Sequence, residues 1–378
     1  MPLRTLVFTL TLTPTLLGTA PLHAQAWQVD PRPRLTIGDD PGDPMQQFVR
    51  IRDVVALPDG RIAILDAGVP AIRVFDTTGR WVMNVGRTGN GPGEFRDPID
   101  LAFDGTGLGV LDRDGRIEWF TADGRPRRSD RAPLSSVRGE RFNITPLALL
   151  ARGAALVAAP ERMFGRARGE YRQQIGLLIG RGGRITDTVG WFAHDSGRAD
   201  AQGVPVPRPY LPSTGLLTAS GGGRIATMTA DRPRVTLYST AGRRLGAFDV
   251  PFRATSVSDS DLSRLIADQV RPVTGNDRRV VTEWVSGRPR LGRAPLAAGL
   301  LLPDARPGEI WIERFGRPDG RATWAVVSDA GTLRGEVRLP PGVELFDVGA
   351  DFALGLARDT DDIETVVRFA LVAPAPTR

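Results

Sequence analysis

The sequence predicts an all-β chain: a six-bladed β-propeller of four-stranded antiparallel blades, its ring closed by an N-terminal strand that completes the last blade. Three observations carry this expectation. A strand–turn–strand template returns about every 45 residues, with Asp66 and Asp112 at equivalent places and Phe75 and Phe120 likewise. Apolar residues alternate along the strands, as in Ile62 and Ile64 or Ile72 and Val74, which is the period of a sheet. With 44 glycines and 31 prolines in 378 residues, the chain is cut into short strands and many turns. A four-stranded meander cannot bury both faces alone, and radial stacking of six of them can.

In chain order, residues 1–26 read as an export signal. Arg4 is followed by the apolar run "TLVFTLTLTPTLLGTAPL" and by the small-residue site Ala24-Gln25-Ala26. Pro14 and the threonines argue against a stable membrane span, and no later stretch stays apolar for ~20 residues. A mature chain starting at Trp27, periplasmic or secreted, is expected. "WQVDPRPRLTIG" (27–38) is a spare strand. Blades are expected at about 48–86, 95–130, 142–192, 213–252, 296–340 and 343–372, within one domain spanning 27–372, and 373–378 is a tail. The sixth unit is short of an outer strand. Residues 27–38 would supply it and hide two exposed edges. Between the fourth and fifth units, "VSDSDLSRLIADQV" (257–270) carries Ser258 and Asp261 as a capping box before Leu262, Leu265 and Ile266. That predicts a short helix, either filling the space between blades or lying over one mouth of the ring.

The glycine-rich stretch "GRTGNGPGEF" (86–95) has the composition of a phosphate loop, but its chemistry excludes one. A Walker loop needs lysine, and the chain has none. A dinucleotide loop must open a helix, whereas here Phe95, Pro98 and the strand "IDLAF" follow. The stretch reads as a connector between blades 1 and 2. Glycines permit its bend, Pro92 stiffens it, and Phe95 anchors it between blades.

From Gly86 onward, "GRTGNGPGEFRDPIDLAFDGTGLGVLDRDGRIEWFTADGR" resembles the NHL-type six-bladed propeller repeat, with its G-x-G-P-G-x-F connector and D-x-x-G turn. The layout as a whole is similar to exported bacterial propellers of TolB-like architecture. The resemblance implies the fold and says little about function, because one fold hosts many functions.

Composition excludes several chemistries. There is no cysteine, and His23 and His194 are the two histidines, so thiolate and histidine-rich metal centres are ruled out. His194, in "FAHDSGRAD", reads as a solvated loop residue. H-E-x-x-H, S-x-x-K and G-x-S-x-G are missing. All 49 basic residues are arginines, interleaved with 43 acidic ones for a net charge of +6, a distribution that does not point to nucleic acid. Asp66 and Asp112 are expected to cap turns. Asp112-x-Asp114-Gly115 and Asp359-Thr360-Asp361-Asp362 resemble fragments of calcium loops without the full ligand spacing, so no cofactor or metal is expected, calcium remaining a weak alternative.

Propeller ligands bind where the inner strands begin. The candidates there are Arg50, Arg52 and Asp53 in blade 1 and Arg96, Asp97 and Asp100 in blade 2. Arg52 and Asp100 are expected nearest the axis, with Arg50 and Arg52 pointing one way and Asp53 the other. Two readings stay open: a site for an anionic or polar ligand, or a solvated ring of salt bridges. The expected function is an exported, non-catalytic binding or protein-interaction module with an unidentified protein or small polar ligand as partner, monomeric and without a membrane span. The alternative is a calcium-dependent hydrolase of the lactonase or gluconolactonase kind. Such an enzyme needs carboxylate and amide ligands on the axis, and Asn84, Asn90, Asn143 and Asn276 are the asparagines this chain has.

Overall fold

The computed structural model describes residues 27–132, 145–150, 154–160, 172–195, 215–219, 223–229, 234–253 and 297–372, with isolated positions between 232 and 282. They form an all-β, six-bladed propeller of four-stranded antiparallel sheets. Blade 1 comprises Ile51–Ala56, Ile62–Asp66, Ala71–Phe75 and Trp81–Val85. Blade 2 comprises Pro98–Phe103, Leu108–Asp112, Arg116–Phe120 and Pro126–Arg131. Blade 3 runs from Thr145–Leu150 to Ile185–Asp195, blade 4 from Gly215–Ala219 to Arg244–Asp249, and blade 5 from Ala297–Leu301 to Leu333–Arg338. His194 lies within the outer strand of blade 3 rather than in a loop. Of the segment expected to be helical, 257–270, only Ser263 and Ala267 are described; residues 1–26 and 373–378 lie outside the described residues.

Blade 6 supplies Val343–Val348, Phe352–Arg358 and Glu364–Val372, and the N-terminal chain completes it. Gln28 and Val29 pair with Val372 and Leu371, and Leu35, Thr36 and Ile37 pair with Arg368, Val367 and Val366. Between the two short pairings, Pro31 and Pro33 interrupt the ladder, because proline has no N–H to give it. Trp27 then reaches the next blade: its N–H donates to the Glu336 carbonyl at 3.1 Å and its ring packs edge-on to Trp311 at 5.8 Å.

Six apolar clusters lie between successive blades. Leu65, Val74 and Phe95 meet Leu101, Val110 and Phe120 across the seam of blades 1 and 2. Ile62, Ile64 and Phe75 meet Leu354, Leu356 and Val366 across the seam that closes the ring, between blades 6 and 1. Alternation therefore sorts side chains between two neighbouring blades rather than between core and solvent. That is why Ile62–Asp66 and Leu108–Asp112 are buried at every position.

Candidate functional site

The inner strands of all six blades begin on one face of the ring, here the upper face. Antiparallel order puts the turn between the second and third strands of each blade there too, along with the connectors between blades. On the opposite, lower face the described turns are short, the longest of them 302–308, and the strand ends at Gln28 and Val372 also stand there. The strands flanking 133–144, 161–171, 196–214 and 254–296 end and resume on the upper face.

Asp66 and Asp112 organise this face. Each is the last residue of a second strand, and each folds back onto the start of its own blade's inner strand. Asp66 accepts the backbone N–H groups of Val49 (3.3 Å), Arg50 (3.1 Å) and Gly68 (2.9 Å), and pairs with Arg73 at 3.1 Å. Asp112 accepts those of Arg96 (2.8 Å) and Asp97 (2.7 Å). Both are buried, so their carboxylates hold the chain in place instead of facing a ligand.

The connector 86–95 bends as its glycines require. Gly86 and Gly93 have φ of 74° and 76°, the left-handed region, whereas Gly91 does not. The Gly93 N–H donates to Glu118 at 3.0 Å, the Gly91 N–H donates to Glu94 at 2.7 Å, and Phe95 is wholly buried against Phe120.

The six candidate residues fall into two groups. Arg50 and Asp97 approach to 4.0 Å on the upper face, and Asp97 also accepts from Arg113 Nε at 2.5 Å. These side chains are about half exposed, and Arg96 is exposed beside them. Such surface pairs contribute roughly 0–1 kcal/mol each. The second group lies deeper, on the axial wall. Asp53 accepts the Val54 N–H and, across the seam, the Leu101 N–H of blade 2, both at 2.8 Å. Asp100 accepts the Leu149 N–H of blade 3 in the same way. Asp53 and Asp100 also act on each other across the seam, the Asp53 charge helping to raise Asp100. Desolvation pushes Asp53 up to about 7, with backbone donors pulling it down. Asp100 is also raised well above its ordinary value, by desolvation and then by the Asp53 charge. Both residues are partly buried.

Arg52 is the extra residue of a β-bulge, since Ile51 pairs with Asp66 and Asp53 with Leu65. The bulge overrides simple alternation: Ile51 and Val54 both pack toward blade 6, while Asp53 reaches blade 2. The Arg52 Nε is buried and finds no hydrogen-bond partner among the described residues.

A third axial carboxylate, Asp347, was not among the sequence candidates. It follows a bulge at Phe346 just as Asp53 follows Arg52 and Asp100 follows Ile99. It accepts the Val348 N–H at 2.7 Å and, across the closing seam, the Ala56 N–H of blade 1 at 3.3 Å. Desolvation raises it to about 6, with Asp304 adding to the shift. Its signal was present in the sequence, where "IRDV", "PIDL" and "LFDV" share one apolar–x–Asp–apolar pattern. In blades 3 and 5 the residue after the bulge is Ala148 or Gly299, so the axial carboxylates line one side of the ring, on blades 6, 1 and 2. Among the described residues no three acidic or histidine side chains come together as a metal-binding group. Asp114 and Asp359, from the calcium-like fragments, accept backbone N–H groups within their own turns.

A family profile described as a 6-bladed beta-propeller (DUF5128) matches residues 46–136, which cover blades 1 and 2. No curated protein matches the sequence. Among solved structures the fold is similar to a Bacteroides fragilis protein described as exported, at 12% identity and TM-score 0.50, covering 93% of this chain and 96% of that one. It is also similar to a DUF4221-family protein from Bacteroides vulgatus, at 8% identity and TM-score 0.55, covering 93% and 99%. At these identities the likeness concerns the fold alone.

Proposed function

We propose that this chain is an exported, non-catalytic binding module that presents its ligand site on the upper face of the ring. The observation that supports this best is the asymmetry of the two faces. The described lower turns are short, while the strand ends flanking the four long connections and the exposed Arg50, Arg96, Asp97 and Arg113 stand on the upper face. Repeat folds vary the loops of the face they use and keep the other minimal. Export is supported by the signal-like residues 1–26 and by the similar B. fragilis protein described as exported. No helix among the described residues is long and apolar enough to cross a membrane. The G-x-G-P-G-x-F connector favours an NHL-type repeat and the overall layout a TolB-like architecture. Within the site, Arg50, Arg96 and Asp97 would meet the ligand, and Arg52, Asp53 and Asp100 would line the funnel beneath them.

The second reading, a calcium-dependent hydrolase, draws support from the axial Asp53, Asp100 and Asp347. Against it, Asp53 and Asp347 already serve backbone donors from two strands each, and Asp100 serves one from blade 3.

A thermal-shift panel of anionic, neutral and cationic small molecules tests the proposal. Any stabilising ligand should lose its effect in Arg50→Ala and Arg96→Ala, and keep it in Arg61→Ala, which lies in a lower-face turn with its partner Asp59. A ligand effect that depends on Arg61 and ignores Arg50 and Arg96 would overturn the face assignment.

A further inference from the structure

Each blade ends in an outer strand whose far edge has no pairing neighbour among the described residues. Such edges template association unless they are protected by charge, proline or brevity. Four of the outer strands carry charge: Arg127, Arg128, Asp130 and Arg131 in blade 2; Asp187 in blade 3; Arg244 and Asp249 in blade 4; Arg334, Glu336 and Arg338 in blade 5. Blade 6 has two very short outer strands interrupted by prolines. Blade 1 is the exception. Its outer strand Trp81–Val85 reads Trp-Val-Met-Asn-Val, with neither charge nor proline, and its bulge at Val82 is one that the outer strands of blades 2, 4 and 5 share.

The strand is also sided. Met83 and Val85 pack with the neighbouring seam of blades 1 and 2, near Gly124. Trp81 and Val82 are each 43% exposed, and the Trp81 indole N–H donates to Asn84 at 3.0 Å, which fixes the ring along the rim. At its ends stand Arg80, exposed, and Arg87, whose side chain is 80% exposed despite its contact with Glu94.

We propose that the outer edge of Trp81–Val85 is a docking edge for an extended peptide segment of another protein, apolar through its centre and acidic at both ends, which joins blade 1 as a fifth strand. Main-chain hydrogen bonds would supply the attachment, Trp81 and Val82 the apolar contact, and Arg80 and Arg87 the charge that selects the ends. A second copy of this chain fits less well. Pairing the strand with itself antiparallel across a two-fold axis brings Arg80 of one copy beside Arg87 of its partner, placing like charges together at both ends. This proposal stands independently of the upper-face site, since the rim strand is remote from the axis.

The test uses a fluorescent heptapeptide, Glu-Val-Thr-Val-Thr-Val-Glu, titrated against the full chain by anisotropy, with two controls: the same peptide flanked by lysines, and one with alternate backbone N-methyl groups. Saturable binding is expected for the first peptide alone. Val82→Lys, at an exposed position, should weaken it at least tenfold with Tm unchanged, and Arg80→Glu with Arg87→Glu should transfer preference to the lysine-flanked peptide. Absence of saturable binding, or binding indifferent to Val82→Lys or to N-methylation, would overturn the proposal. So would concentration-dependent dimerisation in sedimentation that Val82→Lys abolishes, because that would assign the edge to a second copy.

Discussion

Phe95 shows how a single side chain joins two blades. It leaves a bend set by Gly86 and Gly93 and fills the seam against Phe120, with no exposed surface. Phe95→Ala should cost about 3–5 kcal/mol, the usual range for a buried aromatic, read as a drop in denaturant midpoint. The two glycines beyond Asn90 separate cleanly. Gly93→Val should destabilise strongly, because its φ is 76° and an added Cβ would lie 2.6 Å from Pro126. Gly91→Val meets only the Glu94 side chain and should cost much less. Equal effects at the two positions would contradict this account of the bend. Sequence alone marked both glycines without distinguishing them, since φ depends on the path the connector takes between blades.

The axial carboxylates carry a pH signature. Asp53, Asp100 and Asp347 are all raised above their ordinary value, near 3.8, chiefly by desolvation. Groups raised on folding take up protons as the chain folds. Their contribution to stability is full below about pH 4 and is lost as pH rises through about 6 for Asp347 and about 7 for Asp53, Asp100 acting in the same direction. The facing groups are Asp53 and Asp100 for one another, Asp347 for Asp53, and Asp304 for Asp347. Asp100→Asn should relieve Asp53 of a neighbouring charge, flatten the decline as pH rises through about 7, and leave the ring folded. A Tm–pH profile parallel to that of the parent chain would refute the coupling of Asp53 and Asp100.

At the scale of elements, the seam that closes the ring rests on two short pairings, Gln28–Val29 and Leu35–Ile37 with Glu364–Val372. Ile37 is wholly buried there against blade 1, and Trp27 bridges to blade 5. Removing 27–38 should therefore open the edge of Glu364–Val372, lower Tm and promote aggregation, checked by melting and light scattering. A truncated chain that melts like its parent would show the closure to be dispensable. Much of this level was legible in the sequence. Strand-ending Asp66 and Asp112 and the D-x-x-G turns repeat at fixed spacing, and the missing outer strand of the last unit matched the spare one at the N-terminus. Bulges were not legible, because they are properties of pairing between strands. The bulges at Arg52, Ile99 and Phe346 set which residues follow simple alternation, and each is followed by one of Asp53, Asp100 and Asp347. The unprotected rim strand Trp81–Val85 was readable only by comparison with the other outer strands, once their register was known.

For the whole molecule, the upper and lower faces divide the labour. The lower turns and the six seams hold the ring, and the upper face gathers Arg50, Arg96, Asp97 and Arg113 beside the strand ends that flank the long connections. On this account the axial Asp53, Asp100 and Asp347 hold blades together through the N–H groups of Leu101, Leu149 and Ala56 rather than holding a metal. The most direct test is thermal melting of the full chain in millimolar calcium and, separately, in excess chelator. A binding module braced by its own carboxylates should give the same Tm in both. A large calcium-dependent rise in Tm, abolished by Asp100→Asn and accompanied by lactone hydrolysis, would contradict the account and establish the metal-dependent enzyme.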